Sequence, residues 1–271
     1  MHYGTIDVRE ILFHSIHNKH ITARITVERE GVIAGSKYAR EKLAELGVKV
    51  EYLAEDGAKV LPDDVVAAIS GTPKQITSAE DAVIGNLTKT SGIATASTQA
   101  VKLADGKIRI VSGAWKKMPL LIKHMVREAV AIGGAAFRIA DTPFVYLDKN
   151  YVRIFNKSIP AVLKAAKIMP DRLAVIQLRG ETGSIGEEVA EAAAGGADIL
   201  MIDTGKHADA VEAIKVLNQL GIRQDKQVAF AGGVQIEDIP DYARLGIDIL
   251  DIGSRIIDAP LLDMKMDVIN T

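Results

Sequence analysis

The chain has 271 residues, no cysteine, and 33 lysine and arginine residues against 35 aspartate and glutamate residues, which gives a formal net charge of -2. This composition excludes disulfides, cysteine zinc sites and cysteine nucleophiles, and it gives no general electrostatic attraction for nucleic acid or an anionic membrane. The N-terminal sequence has no apolar core of signal-peptide length, and no apolar run reaches the roughly 18 residues of a membrane helix. We therefore expect a cytoplasmic protein that binds neither nucleic acid nor membrane.

The first part of the chain predicts a small α+β domain with its own sheet. Two segments have the short apolar runs and the central turn of β-hairpins, one around Glu30-Gly31 and the other around Asp56-Gly57. A helical pattern separates the two segments, and residues 65–71 (VVAAISG) predict a further strand.

A long helical segment follows this sheet. The sequence from Ser78 to about Ala104 has few helix breakers and predicts either one long helix or two helices separated near Ser91-Gly92. We place the N-terminal domain, including this segment, at residues 1–105.

After Asp105-Gly106, six short apolar runs alternate with segments of helical periodicity. Near-continuous apolar strands that alternate with helices are typical of a parallel sheet buried on both faces. Six such units favour a closed or nearly closed β/α barrel over a doubly wound sheet, and we place this domain at residues 106–258. The tail at 259–271 alternates like a strand and is expected to return to the N-terminal sheet. The six runs are KIRIV, PFVYL, LAVIQL, ADILMID, QVAFAGG and IDILDIG.

Glycines follow the last two predicted barrel strands, at the strand ends where β/α barrels place their active sites. Gly232-Gly233 follows one strand and Gly253-Ser254 follows the next. Glycine lets a phosphate approach backbone N–H groups, and the start of a following helix adds a favourable partial charge. These residues predict a phosphate site. The alternative is that the glycines only allow tight turns between strand and helix.

Charged residues lie near the ends of other predicted strands. Asp203 ends an apolar strand, where its carboxylate can bind Mg²⁺ that carries a diphosphate, contact a sugar hydroxyl, or instead cap the following helix. Lys116 and Lys117 can bind phosphate or carboxylate, although surface lysines are usually only solvated. Arg138 lies between apolar residues and, if buried, needs an anionic partner, which is either a ligand or Asp141.

Five short motifs occur in an order that resembles the quinolinate phosphoribosyltransferase family over nearly the whole chain. The S-G-I-A-T helix motif of that family is intact, and the other motifs match in part. The motifs are Glu55-Asp56-Gly57, Ser91–Thr95, Gly196–Asp203, Ala231–Val234 and Ile252–Asp263.

This resemblance implies an N-terminal α/β sandwich, an open β/α barrel, and a homodimer in which the N-terminal domain of one subunit closes the barrel of the other. It also implies transfer of phosphoribosyl from 5-phosphoribosyl diphosphate (PRPP), bound with Mg²⁺, to a pyridine nitrogen, with release of diphosphate and then of carbon dioxide. The implied catalytic residues are Lys116 and Asp203, with Asp203 also beside Mg²⁺. The implied 5-phosphate site consists of Gly232, Gly233, Gly253 and Ser254.

The residues expected to bind the acceptor differ from the family pattern. Trp115 stands where a carboxylate-binding arginine is expected, Phe137 replaces a histidine, and Asp148 replaces a lysine. Each carboxylate of quinolinate needs charge-assisted donors worth roughly 1.5–3 kcal/mol apiece, so we expect a less anionic, aromatic acceptor unless Lys117, Lys149 or Arg179 compensates. The predicted acceptor-site residues are Trp115, Lys117, Phe137, Arg138, Asp148, Lys149 and Gln177.

Three functions fit these residues. The first is an enzyme that transfers phosphoribosyl from PRPP to quinolinate or to a related nitrogen heterocycle. The second is a sugar-phosphate lyase or isomerase built on the same barrel, with Lys116, Lys149 and Asp203 as its polar groups. The third is a binding protein that kept the phosphate site and lost turnover, which the substitutions Trp115, Asp148 and Ala229 would explain.

Overall fold

The computed structural model describes residues 7–270, which form two compact units. The sequence pattern places a boundary between residues 105 and 106, whereas the units divide earlier, because one long helix belongs to both. Residues 1–6 and 271 of the predicted domains lie outside the described residues. Among residues 7–270, no helix is both long enough and apolar enough to cross a bilayer. The first unit contains residues 7–96, 124–133 and 259–270, and the second contains residues 97–123 and 134–258.

The first unit is built on a four-stranded antiparallel sheet. Alternate residues of its central strand, Ala23, Ile25 and Val27, are fully buried and share one apolar core with the flanking helices. The sheet strands are β1 (Ile21–Val27), β3 (Lys49–Leu53), β5 (Val65–Gly71) and β12 (Met264–Asn270), in the order β12-β1-β5-β3. The other elements of this part of the chain are β2 (Gly31–Val32), β4 (Lys59–Val60), α1 (Val8–Leu12), α2 (Ser36–Glu45), α3 (Pro73–Ala104) and α4 (Lys123–Ile132).

Neither predicted hairpin forms: the chain turns at Asp56-Gly57, whereas Gly31 lies in strand β2. β1 pairs with β5 and β12, β3 pairs with β5, and the short β2 pairs with β4. The turn at Asp56-Gly57 has another use: Asp56 Oδ1 accepts a hydrogen bond of 2.9 Å from the backbone N–H of Ser36 at the start of α2. Strand partners are therefore chosen by burial of the alternating apolar face of β1, which outweighs the local turn preference.

Helix α3 is continuous over 32 residues, which decides between the two sequence alternatives. It begins at Pro73, before the predicted Ser78, because Thr72 and Gln75 cap its start reciprocally. The N–H of Thr72 donates to Gln75 Oε1 at 2.8 Å, and the N–H of Gln75 donates to Thr72 Oγ1 at 3.3 Å. Ser91 does not break the helix, because its buried hydroxyl accepts a hydrogen bond from the N–H of Ala34 at 3.0 Å.

A Gly92→Ala variant is expected to lose about 1–3 kcal/mol of stability, whereas Gly85→Ala in the same helix is expected to gain about 0.5–1 kcal/mol. A Cβ atom on Gly92 would lie 2.2 Å from the carbonyl oxygen of Pro260, a backbone atom that cannot rotate away. At Gly85 a Cβ atom meets nothing within 4 Å, so only the gain in helix propensity remains. Urea unfolding of both variants measures the difference. Equal stability of the two variants would contradict the close approach at Gly92.

The second unit is a parallel six-stranded sheet with helices between the strands, and all six predicted strands are present. The strands are β6 (Arg109–Val111), β7 (Phe144–Leu147), β8 (Leu173–Leu178), β9 (Ile199–Asp203), β10 (Gln227–Ala231) and β11 (Ile249–Asp251), in the order β6-β11-β10-β9-β8-β7. The helices are α5 (Lys149–Ile154), α6 (Ile159–Ala166), α7 (Ile185–Gly195), α8 (His207–Gln219), α9 (Ile239–Arg244) and α10 (Ser254–Ile257). One isolated parallel bridge joins Val111 to Ala136, and no pairing between β6 and β7 closes the ring in the described part of the chain. The predicted fold class, an α+β domain with an open β/α barrel, is confirmed.

The barrel interior is filled by one side of every strand. Val175, Ile199, Met201, Ala229 and Ile249 are all buried in a single apolar cluster. Since side chains alternate along a strand, the residues two positions beyond this layer also point inward, at the carboxyl ends of the strands. The polar residues of the barrel mouth are therefore placed by the same alternation that builds the core.

Candidate active site

Two acidic side chains lie one layer above the barrel core. The strand register sets Asp203 of β9 opposite Ala231 of β10, and Ala231 opposite Asp251 of β11. Both acids lie two residues beyond core residues, Met201 and Ile249, and so they point into the barrel mouth. The mouth thus contains two inward carboxyl groups separated by one strand.

Asp203 is bound by two donors from β8 and the loop that follows it. Its Oδ2 accepts a hydrogen bond of 2.5 Å from Gln177 Nε2 and one of 2.7 Å from Arg179 Nη1. The alternative role predicted for Asp203, capping the next helix, is wrong, because α8 begins at His207 and has Lys206 at its N-cap. The carboxylate therefore points into the barrel mouth and is held by an arginine.

A buried carboxylate fixes the loop that carries Arg179. Glu188, on α7, is only 2% exposed and accepts four hydrogen bonds. Its Oε2 accepts from the N–H groups of Arg179 and Gly180 at 2.9 and 2.8 Å, and its Oε1 accepts from the N–H and hydroxyl of Thr182 at 2.8 and 2.9 Å. The backbone N–H groups of this loop thus donate to a buried carboxylate, so the side chain of Arg179 extends from a fixed backbone position.

Asp251 was not singled out in the sequence, and it is the second acid of the mouth. Its Oδ1 accepts a hydrogen bond of 2.9 Å from the N–H of Gly113. Burial raises the pKa of its enclosed carboxyl group, and the nearby Asp203 raises it further, against the lowering effects of the Gly113 hydrogen bond, Lys116 and Lys117. The sequence signal was an acid inside the apolar run IDILDIG, where a buried strand is expected to be apolar.

Replacing Asp251 with asparagine is expected to stabilise the protein at neutral pH. The raised pKa means that the folded state keeps this proton to higher pH than the unfolded chain, so stability falls as pH rises above the ordinary value of 3.8 towards the raised pKa. Asparagine keeps an acceptor for the N–H of Gly113 and carries no charge. Urea unfolding at pH 7 and at a pH below 3.8 gives the free energy of unfolding of wild type and of the variant. The advantage of Asp251→Asn should be present at pH 7 and vanish in acid, and a constant difference would contradict this origin.

The segment that carries Trp115, Lys116 and Lys117 is a short 3-10 helix, Gly113–Lys117, directly after β6. Trp115 Nε1 donates a hydrogen bond of 2.8 Å to the carbonyl oxygen of Phe137, which joins the two aromatic residues predicted at the acceptor site. Lys116 is exposed, and its Nζ lies 5.1 Å from the centre of the Tyr146 ring.

Tyr146 belongs to the same mouth and was also missed in the sequence. Burial raises the pKa of its hydroxyl above the ordinary value of 10.0, with further contributions from Asp251, Asp203 and Asp148. The hydroxyl therefore stays protonated at neutral pH and is a neutral donor among charged groups. Its ring supports the Lys116 ammonium by a cation–π contact.

Arg138 and Asp148 differ from the sequence expectations. Arg138 is exposed and lies over the Phe144 ring, 5.1 Å from its centre, so it is not a buried arginine in need of an anion. Its suggested partner Asp141 instead binds Arg109 through two hydrogen bonds of 2.6 and 2.7 Å. Asp148 caps α5 by accepting hydrogen bonds from Asn150 and Tyr151, which gives it a structural role.

Lys149 is attached to the same network as Asp203. Its backbone N–H donates a hydrogen bond of 2.9 Å to Gln177 Oε1, while Gln177 Nε2 donates to Asp203. Gln177 therefore connects the start of α5 to the carboxylate of β9. Lys117, the remaining predicted acceptor-site residue, is exposed at the end of the Gly113–Lys117 segment.

The structure gives each of the predicted phosphate-binding glycines a different reason for being glycine or a different local environment. Gly232 has a φ of 112°, and a Cβ atom there would lie 2.3 Å from the backbone nitrogen of Gly205, so backbone packing already requires glycine. Gly233 has a φ of 81°, and a Cβ atom would meet nothing within 4 Å. Gly253 is the N-cap of α10, and Ser254 begins that helix and is exposed. The open space is therefore at Gly233, and the ends of β9, β10 and β11 lie side by side.

A divalent cation held by the protein does not fit this donor set. Asp203 already binds Arg179 and Gln177, Asp251 binds the N–H of Gly113, and Asp148 caps α5. Within residues 7–270 no group of three acidic, histidine or cysteine side chains is arranged to hold a metal ion. The metal-ligand role predicted for Asp203 would require displacement of Arg179.

Known proteins resemble this chain over nearly its whole length. The family descriptions "Quinolinate phosphoribosyl transferase, N-terminal domain" and "Quinolinate phosphoribosyl transferase, C-terminal domain" match residues 7–91 and 93–267. The probable nicotinate-nucleotide pyrophosphorylase (carboxylating) of Archaeoglobus fulgidus is 28% identical over 257 residues, 94% of this chain and 97% of that protein. The nicotinate-nucleotide pyrophosphorylase (carboxylating) of Rattus norvegicus is 28% identical over 239 residues, 87% of this chain and 78% of that one.

A solved structure shows the same fold. The nicotinate-nucleotide pyrophosphorylase from Ehrlichia chaffeensis superposes with a TM-score of 0.82 at 19% identity, and the match covers 95% of this chain and 92% of that one. The family matches account for both the antiparallel unit and the barrel, and they confirm the family predicted from the five sequence motifs. The chain belongs to the quinolinate phosphoribosyl transferase family.

Proposed function

We propose that this protein transfers phosphoribosyl from PRPP to a nitrogen heterocycle and releases diphosphate. The observation that carries the proposal is the barrel mouth itself, where Arg179 and Gln177 hold Asp203 at the end of β9 and the neighbouring strand β10 leads into a turn with open space at Gly233. A carboxylate, several cations and an accessible backbone turn are the groups that a sugar phosphate bearing a diphosphate needs. The relatives that carry nicotinate-nucleotide pyrophosphorylase names support this choice.

In this reaction a ring nitrogen forms a bond to C1 of the ribose, the bond from C1 to the diphosphate oxygen breaks, and its electron pair leaves with diphosphate. Positive charge develops on the ribose and negative charge on the leaving group. Asp203 supplies fixed negative charge beside the ribose, and Lys116 and Arg179 supply positive charge for the diphosphate. Mg²⁺ is proposed to arrive as the counterion of PRPP, since the protein groups at the mouth are already paired.

We further propose an acceptor with less negative charge than quinolinate. Trp115 and Phe137, both half-buried and joined by the Trp115 Nε1 hydrogen bond, stand at the positions where the family pattern has an arginine and a histidine. The Asp148 carboxylate caps α5, and the Arg138 guanidinium lies over the Phe144 ring. Aromatic side chains favour stacking with a heterocycle, whereas a dianion needs paired donors for each carboxylate.

The test is a release assay with the purified protein, Mg²⁺, PRPP and a panel of acceptors. The panel contains quinolinate, nicotinate, nicotinamide and uncharged pyridines and azoles, and diphosphate release is followed for each. Acceptor-dependent release that is faster with a neutral or monoanionic acceptor than with quinolinate is the expected result. Binding of PRPP without release for any acceptor would favour a binding protein, and turnover of another sugar phosphate without PRPP binding would favour a lyase or isomerase.

The homodimer and the cytoplasmic location stay predictions from the sequence. We propose both for this protein, because family resemblance implies the first and the absence of cysteine fits a reducing compartment such as the second. Light scattering on the eluting protein measures the mass in solution, and cell fractionation with an antibody measures the location. A monomer at working concentrations would contradict the proposed dimer.

A further inference from the structure

The carboxylate that the sequence marks as a metal ligand is paired with an arginine of this chain. Arg179 Nη1 lies 2.7 Å from Asp203 Oδ2, and Gln177 Nε2 donates to the same oxygen at 2.5 Å. The Asp203 carboxyl group is only partly exposed, with 23% of the side chain accessible. An arginine in this position satisfies the carboxylate by charge-assisted hydrogen bonds, as a bound cation otherwise would.

The backbone position of Arg179 is fixed by the fold, although the residue is exposed. Its backbone N–H is bound by the buried carboxylate of Glu188 at 2.9 Å. Its Nε also lies 3.6 Å from Glu181, whose carboxylate is bound by Arg153 through hydrogen bonds of 2.8 and 2.9 Å. Because Arg153 already neutralises Glu181, the charge of Arg179 is directed towards Asp203 and the barrel mouth.

Building on the proposed function, we propose that Arg179 replaces a protein-bound divalent cation at Asp203 and binds the diphosphate of the donor substrate. A guanidinium has five N–H donors, and the Asp203 contact uses one of them, so donors remain for a diphosphate oxygen. Gln177 assists as a neutral donor to Asp203. Diphosphate binding by this protein is therefore independent of a divalent cation.

The experiment is calorimetric titration of inorganic diphosphate into the full chain, once in buffer with EDTA and once with Mg²⁺. Wild type is expected to bind in EDTA. Arg179→Gln is expected to bind roughly 10- to 100-fold more weakly in EDTA, and Arg179→Lys to fall between them because lysine keeps the charge and loses the planar fork. Arg172→Gln is the matched control, since it removes a positive charge from an exposed position just before β8 and leaves Arg179, Asp203 and Glu181 in place.

The outcomes of these titrations separate the role of Arg179 from the proposed transferase activity. Binding of diphosphate only with Mg²⁺ overturns the role of Arg179 and leaves the proposed transferase intact. No binding in either buffer overturns both the role of Arg179 and the use of a diphosphate donor. Equal weakening by Arg172→Gln and Arg179→Gln reduces the effect to general charge and overturns the assignment. Titration with Mn²⁺ in the absence of diphosphate gives an independent readout: a site on wild type that Asp203→Asn removes would also overturn it.

Discussion

Asp203→Asn is expected to lower kcat/KM for phosphoribosyl transfer by at least roughly 100-fold while the free energy of unfolding changes by less than about 1 kcal/mol. Asparagine keeps an oxygen that accepts from Gln177 and Arg179, so the hydrogen-bonded framework of the mouth survives. It lacks the negative charge that faces the ribose as positive charge develops there. The substitution therefore separates electrostatic stabilisation of the transition state from local folding.

The measurement is the initial rate of diphosphate release with the best acceptor of the panel, together with urea unfolding. Asp198→Asn is the matched control. Asp198 precedes the same strand at its other end, where its Oδ2 accepts a 2.7 Å hydrogen bond from the N–H of Ala174. It should leave kcat/KM near the wild-type value. A fully active Asp203→Asn variant would remove Asp203 from the catalytic site.

Periodic burial is the part of this structure that the sequence predicts well. The six apolar runs of the C-terminal half are all strands, and most of their residues are apolar because at least half of the residues in every strand except the edge strand β7 are buried. Asp203 was identifiable because it ends such a run and so lies at the barrel mouth. The same rule identifies Asp251, whose position inside the run IDILDIG has no structural reason in a buried strand.

Pairing between distant segments is the part that sequence patterns do not fix. The turn at Asp56-Gly57 has strong hairpin character, yet β3 joins β5 because that pairing buries the apolar face of the larger sheet. Arg138 had apolar neighbours in sequence, yet it is exposed on the Phe144 ring and its suggested partner Asp141 binds Arg109. Strand pairs and ion pairs of this kind depend on which partner is nearest in space, and spacing along the chain does not predict that.

The loop after β8 is only partly predictable from the sequence. Arg179 and Glu188 are nine residues apart, so their contact is local, and Gly180 and Thr182 supply the other donors. A glutamate on the buried face of a helix, following a loop rich in glycine and polar residues, is a usable signal. It indicates that the carboxylate binds the loop backbone, since a buried charge needs several donors.

Glu188→Ala is expected to lower the free energy of unfolding by about 3 kcal/mol or more. The substitution leaves the N–H groups of Arg179, Gly180 and Thr182, and the Thr182 hydroxyl, without their buried acceptor, and each unsatisfied donor costs about 1–3 kcal/mol before water enters. Glu188→Gln should fall between wild type and alanine, because one amide oxygen still accepts while the amide nitrogen faces N–H donors. Glu191→Ala, at an exposed position of the same helix, should change stability by no more than about 0.5 kcal/mol.

Glu188→Ala also tests whether the buried carboxylate is needed for diphosphate binding. Because Glu188 holds the backbone of Arg179, its loss should also weaken diphosphate binding in EDTA, even at temperatures where the barrel is fully folded. Trp115 is the single tryptophan, so its fluorescence reports whether the mouth itself is disturbed. Weak binding with an unchanged Trp115 signal is the expected pattern. Normal diphosphate binding by folded Glu188→Ala would show that Arg179 finds Asp203 without the buried carboxylate, and Glu188 would then serve stability alone.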